Sequence, residues 1–146
     1  MVAADVLLGG TGNDTVDYNG RGLTVADLSG SRGNDGQPGE GDTVGSDVEN
    51  LTGGDGRNVF TGNAGANRLT GGEGDDLFRG GAGNDTLYGG YGKNELYGEA
   101  GDDSLHTRAA GDPDQTSDPD KVDGGPNTDT CVVSAIDAVT NCERRG

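Results

Sequence analysis

Nine residues recur along this chain. Four consecutive nonapeptides start at Gly71, Gly80, Gly89 and Gly98: GGEGDDLFR, GGAGNDTLY, GGYGKNELY and GEAGDDSLH. Two looser copies precede them, GGDGRNVFT from Gly53 and GNAGANRLT from Gly62, and one clean copy, GGTGNDTVD, stands apart at Gly9. A unit this short cannot bury its own apolar face. It must stack on its neighbours, which confines the chain to a repeat architecture. Counted from the first glycine of each copy, positions one to six read as a loop and positions seven to nine as a short strand.

The eighth position is always apolar: Val16, Phe60, Leu69, Phe78, Leu87, Leu96 and Leu105. Its flanks are mostly polar, as in Thr15, Asp17, Arg68, Thr70, Thr86 and Glu95. That is strand alternation with one side chain inward per repeat. The glycine density excludes helix, at about 1 kcal/mol per glycine relative to alanine. The predicted fold is all-β, a right-handed parallel β-roll. Two repeats make one coil, so the loops from Gly53, Gly71 and Gly89 share one edge and those from Gly62, Gly80 and Gly98 the other.

The same spacing persists more faintly outside the clear copies. Leu51 and Glu49 fall at the apolar and acid positions ahead of Gly53, and Leu7 and Asp5 do so ahead of Gly9. Residues 1–52 therefore read as degenerate turns around one clear repeat. Within them LTVADLS reads as an ordinary strand and NDGQPGEGD as an inserted surface loop. Residues 53–106 form the continuous roll, 107–120 a polar loop, and 121–146 a capping segment. In the cap, Asp129 and Cys131 resume the acid and apolar positions. Cys131 and Cys142 are expected to form a disulfide, which suits an oxidising compartment.

Composition narrows the function. There are 26 acids against 10 bases, a formal charge of −16. Nucleic acid binding needs a basic face, so no nucleic acid partner is expected. No stretch is long enough to span a bilayer, so no membrane insertion is expected. The start, MVAADVLL, lacks the basic head and apolar run of a signal peptide. We read the chain as part of a longer protein, or as one exported by a signal elsewhere. With 29% hydrophobic residues and 31 glycines, a thick core is out of reach. One buried apolar side chain per repeat falls far short of the entropy lost in ordering nine residues.

The sixth position supplies what is missing. It holds Asp14, Asp76, Asp85 and Asp103, and Asn58, Asn67 and Asn94 in the other copies. Stacked strands lie about 4.8 Å apart. Two bare carboxylates at ~5 Å and an effective dielectric of ~20 repel by roughly 3 kcal/mol. A cation between them reverses the sign. Glycine loops turn carbonyl oxygens toward it, and oxygen-only ligands favour calcium over zinc, copper or magnesium. About four calcium ions are expected in the continuous run, between loops two repeats apart. The asparagine sites should be weaker. Asp75, Asp102 and Glu73 read as solvated loop charges, and His106 as an exposed outward residue.

These residues resemble the RTX (hemolysin-type) calcium-binding repeats of secreted bacterial proteins, and the tail resembles the ends of such proteins from actinobacteria. The resemblance implies that one loop gives the carbonyls of its first and third residues plus the acid. The facing loop gives those of its second and fourth plus the acid. Carried over, the ligands are Gly71, Gly72, Glu73, Gly74 and Asp76, and Gly80, Gly81, Ala82, Gly83 and Asp85. The chain departs from the pattern at its three asparagines, and at Asn63 and Glu99, which replace the second glycine. The resemblance implies a secreted, extracellular protein whose folding is coupled to calcium, serving export, stability or display of other domains. An adhesion module for carbohydrate or ice, with calcium as scaffold, is the alternative. The mixed outward residues argue against ice. No nucleophile–base pair is present and His106 is the single histidine, so no enzyme is expected.

Overall fold

The computed structural model describes residues 4–31, 33–107 and 118–145. Every regular element in it is a short strand, and every named pairing is parallel. Two faces carry the roll. One is a seven-stranded sheet of β2 (Thr15–Asp17), β5 (Asn50–Thr52), β7 (Arg68–Thr70), β9 (Thr86–Tyr88), β11 (Ser104–His106), β13 (Thr130–Val132) and β15 (Arg144–Arg145). The other is a six-stranded sheet of β3 (Thr24–Asp27), β6 (Asn58–Thr61), β8 (Leu77–Ala82), β10 (Glu95–Ala100), β12 (Lys121–Asp123) and β14 (Ala138–Thr140). A third, two-residue pairing of β1 (Val6–Leu7) with β4 (Thr43–Val44) gives the N-terminal end an extra side.

The eighth-position residues stack in two columns. Leu51, Leu69, Leu87, Leu105 and Cys131 are aligned residue on residue in one sheet. Phe60, Phe78, Leu96 and Val122 are aligned in the other. All nine are 0% exposed, and together they form the spine of the core. Phe60 and Phe78 stack with ring centroids 5.2 Å apart. Val16 and Val139, nearer the two ends, are only half-buried. Cys131 and Cys142 are joined as a disulfide.

Several expectations change in detail. β8 and β10 run for six residues, into the loops that follow them, because Gly81 pairs with Glu99 and Ala82 with Ala100. Residues 18–43 are not simply an insertion. Tyr18, Ala26 and Leu28 enter the core, and β3 pairs with β6. The stretch read as a surface loop folds back through antiparallel bridges, Val25 with Gly36 and Asp35 with Asp42. Asp35 and Asp42 are buried there, and the Asp35 carboxylate accepts from the Asp27 and Val44 amides at 2.7 Å each. His106 is half-buried rather than exposed, stacked on Tyr88 at 4.5 Å. Burial and then the Arg68 guanidinium hold its pKa down. Most of the polar segment 107–120 lies outside the described residues. Residues 121–145 extend both sheets.

Truncating the middle of the spine should be far more damaging than truncating its end. Phe78→Ala is expected to cost about 3–5 kcal/mol in a denaturant titration of the folded roll, and Val16→Ala about 1 kcal/mol.

Candidate metal centre

Each loop returns its sixth residue to the interior two positions ahead of a core residue. The consequence is a ladder of side-chain to backbone hydrogen bonds along each edge. On one edge, the Asn58 amide donates to Asp76 Oδ1 at 2.7 Å, Asp76 N to Asn94 Oδ1 at 3.0 Å, and Asn94 N to Asp120 Oδ1 at 2.5 Å. On the other, Asn67 N donates to Asp85 Oδ1, Asp85 N to Asp103 Oδ1 and Asp103 N to Asp129 Oδ1, each at 2.8 Å. The sequence separation per step is 18 in the continuous run and 26 across the long loop. Loops 71–76 and 80–85 thus sit on opposite edges, each facing the loops one coil above and below.

One carboxylate oxygen of each acid is spent on this ladder. The other is not. Oδ2 of Asp14, Asp76, Asp85, Asp103 and Asp129 is buried without any hydrogen-bond partner. Buried polar atoms are rarely left this way, and the repetition offers one such oxygen at a fixed point of each loop. A Cβ on Gly71 would collide with Asp76 Oδ2 and the Gly89 carbonyl oxygen. On Gly80 it would meet Asp85 Oδ2 and the Gly98 carbonyl, and on Gly98 Asp103 Oδ2 and the Gly124 carbonyl. The free oxygen and a carbonyl one coil on converge where only glycine leaves space. The fourth-position residues that turn the loop have left-handed φ, 100° at Gly74 and 104° at Gly83. Asn127 adopts 97° at the same place in the later loop, which asparagine tolerates better than most residues.

No group of three or more His, Cys, Asp or Glu side chains gathers among the described residues. The donor set is instead one carboxylate oxygen per loop plus backbone carbonyls, which fits a hard cation taking many oxygens. The asparagine turns differ. Asn58 Nδ2 donates to the Gly56 carbonyl at 2.8 Å and Asn94 Nδ2 to the Gly92 carbonyl at 3.2 Å. There the side chain itself satisfies a carbonyl of its own loop.

The structure brings Asp14, Asn58, Asn67, Asp76, Asp85, Asn94 and Asp103 to equivalent places, with Asp14 only half-buried at the end of the roll. Sequence reasoning left out several others. Asp129, noted only for its phase, is 0% exposed and carries an unpartnered Oδ2. Glu49 accepts from the Asp14 amide at 2.8 Å, and Glu143 from that of Asp129 at 2.5 Å. Asp120, expected in a solvated loop, is buried in the ladder. Asp75 and Asp102 are exposed, yet they accept from the Lys93 and Thr128 amides one coil on. The signal that finds most of these is an acid two residues ahead of an apolar residue, whatever the loop length.

Burial dominates the electrostatics. It pushes the Asp76 and Asp85 pKa values to about 7, against the backbone hydrogen bonds that lower them. Asp103 and Asp129 are raised for the same reason. Without a cation the fold therefore holds more protons than the unfolded chain between about pH 4 and 7. These carboxyls stabilise it most below their ordinary pKa of 3.8, and lose that contribution as pH rises through about 7. Metal-stripped protein is accordingly expected to show more β signal in circular dichroism at pH 5 than at pH 8.

No helix among the described residues is long and apolar enough to cross a membrane. A search of curated proteins gives no match to the chain. The RTX calcium-binding nonapeptide repeat matches in four copies, at residues 3–20, 43–78, 70–105 and 79–112, together more than half of the chain. The loops from Gly53 to Gly98, the columns from Leu51 to Leu105 and the unpartnered oxygens of Asp14, Asp76, Asp85 and Asp103 fall on that repeat, and the chain belongs to the RTX calcium-binding nonapeptide repeat family.

Proposed function

We propose that this chain is a calcium-dependent folding module of a secreted protein. The observation that carries the reading is the row of buried, unpartnered Oδ2 atoms at Asp76, Asp85, Asp103 and Asp129. Calcium on those oxygens would neutralise carboxylates that burial otherwise protonates, and would join each loop to the next coil. Four ions are assigned to the loop pairs starting at Gly53 and Gly71, Gly62 and Gly80, Gly71 and Gly89, and Gly80 and Gly98. A fifth belongs between the loops at Gly98 and Gly124. Asp14, Asp76, Asp85 and Asp103 supply charge, and Asn58, Asn67 and Asn94 neutral oxygen. Gly71, Gly72, Glu73 and Gly74, with Gly80, Gly81, Ala82 and Gly83, supply carbonyls.

The core is one residue wide per strand, so the coils depend on what joins their edges. Binding and folding are then one event. A chain of this kind stays open where calcium is scarce and closes where it is plentiful, which suits export followed by folding outside the cell. Residues 121–145 would cap the roll, fastened by the Cys131–Cys142 disulfide.

Titrating calcium into metal-stripped protein at neutral pH should produce a cooperative gain of β signal with at least two ions bound per chain. No gain, or fewer than two ions, overturns the reading. Asp85→Asn should weaken the affinity at least tenfold, as loss of a charged ligand costs roughly 1.5–3 kcal/mol.

A further inference from the structure

We propose that the groove beside Tyr91 docks an arginine side chain presented by an extended peptide of another protein. The groove is open, holds about 380 Å³ and runs along one edge of the roll. Asp55, Glu73 and Tyr91 line it, as the third residues of the loops from Gly53, Gly71 and Gly89. The Tyr91 amide donates to the Gly72 carbonyl at 2.9 Å, which seats its loop on that of Glu73. Stacked strands lie about 4.8 Å apart, so the three residues span about 10 Å, roughly three residues of extended peptide. All three are exposed.

The ring of Tyr91 sets this groove apart. The chain has four tyrosines. Arg21 lies over the ring of Tyr18 at 5.7 Å and Arg68 over that of Tyr88 at 4.3 Å. Arg79 and Lys121 lie over that of Tyr97 at 4.6 and 5.0 Å. Tyr91 is 49% exposed and has no cation over its ring among the described residues. Twice a carboxylate completes the cluster: Arg21 Nη1 is 2.6 Å from Glu40 Oε2, and Arg79 Nη1 is 3.2 Å from Glu99 Oε1. The groove offers the same two components, a tyrosine ring and carboxylates, to an arginine from another chain. No Lys, Arg or His among the described residues lines it. A guanidinium suits it better than an ammonium, because its plane lies flat on a ring while its edge pairs with a carboxylate through two parallel N–H bonds. The formal charge of −16 draws in a cationic partner and turns away an anionic one. The groove exists only while its coils are stacked, so the docking rests on the calcium-folded roll.

The test is a nuclear magnetic resonance titration of the isotope-labelled full chain, saturated with calcium at physiological salt. The probe is an acetylated, amidated glycine–arginine–glycine peptide. The amide signals of Asp55, Glu73 and Tyr91 should shift together and saturate. A peptide with citrulline, the uncharged isostere of arginine, should bind at least tenfold more weakly, and one with lysine at least threefold. Tyr91→Phe keeps the ring and should bind within twofold of the wild type, whereas Tyr91→Ala and Asp55→Asn should each lose at least fivefold. Equal binding of the citrulline or the lysine peptide, unaltered binding to Tyr91→Ala, or shifts spread evenly over acidic loops without a tyrosine overturns the proposal. A chain that gains no β signal in calcium refutes the folding role, and the docking falls with it. A folded chain that ignores the arginine peptide refutes the docking alone. Should Asp55→Asn not fold, the two Tyr91 variants still decide the matter.

Discussion

Everything in this roll depends on a carboxylate that serves two coils. Its Oδ1 accepts the amide of the equivalent residue one coil back, and its Oδ2 is left in the interior with nothing to bind. The first bond fixes the register of short strands, many of them three residues long, that have few ladder hydrogen bonds of their own. The second oxygen makes that register expensive unless a cation is present. Stacking and metal demand are thus properties of one side chain. The apolar column beside it is continuous, but it contributes a single fully buried residue per strand.

The sequence announced the continuous run clearly because both columns obey a fixed spacing there. An inward apolar residue every nine positions can be satisfied only by stacked strands, and the glycine loops leave no room for helix. What stayed hidden lies where the loops change length. Asp120 precedes Val122 and Asp137 precedes Val139 by two residues, the spacing that Glu49 and Leu51, and Asp129 and Cys131, already show. Acid and apolar residue belong to one extended segment, so their spacing cannot change. The loop before them is free to grow, and the step of 26 residues across the long turn shows that it does. A nonapeptide count loses phase at that point, while the shorter spacing keeps it. The third side at the N-terminal end was unreadable for another reason. Its strands are two residues long, too short for any alternation to register.

The asparagines look like simple weakening when the repeats are read one at a time. Stacking gives them a second meaning. Along one edge the order is Asn58, Asp76, Asn94, Asp120 and Asp137, so carboxylates meet only at the last step. Along the other it is Asn67, Asp85, Asp103, Asp129 and Glu143, with four carboxylates in succession. The electrostatics follow this order. Asp103 raises the pKa of Asp85 and Asp129 raises that of Asp103, after the larger effect of burial. At Asp76 the charge that contributes is Asp75, within its own loop. The acid-rich edge therefore carries the larger mutual repulsion. The alternating edge carries less repulsion because its asparagines are uncharged, and their amides engage the Gly56 and Gly92 carbonyls. A roll built this way is held unequally. One edge carries the longer run of carboxylates, and the other is partly held by side-chain amide bonds.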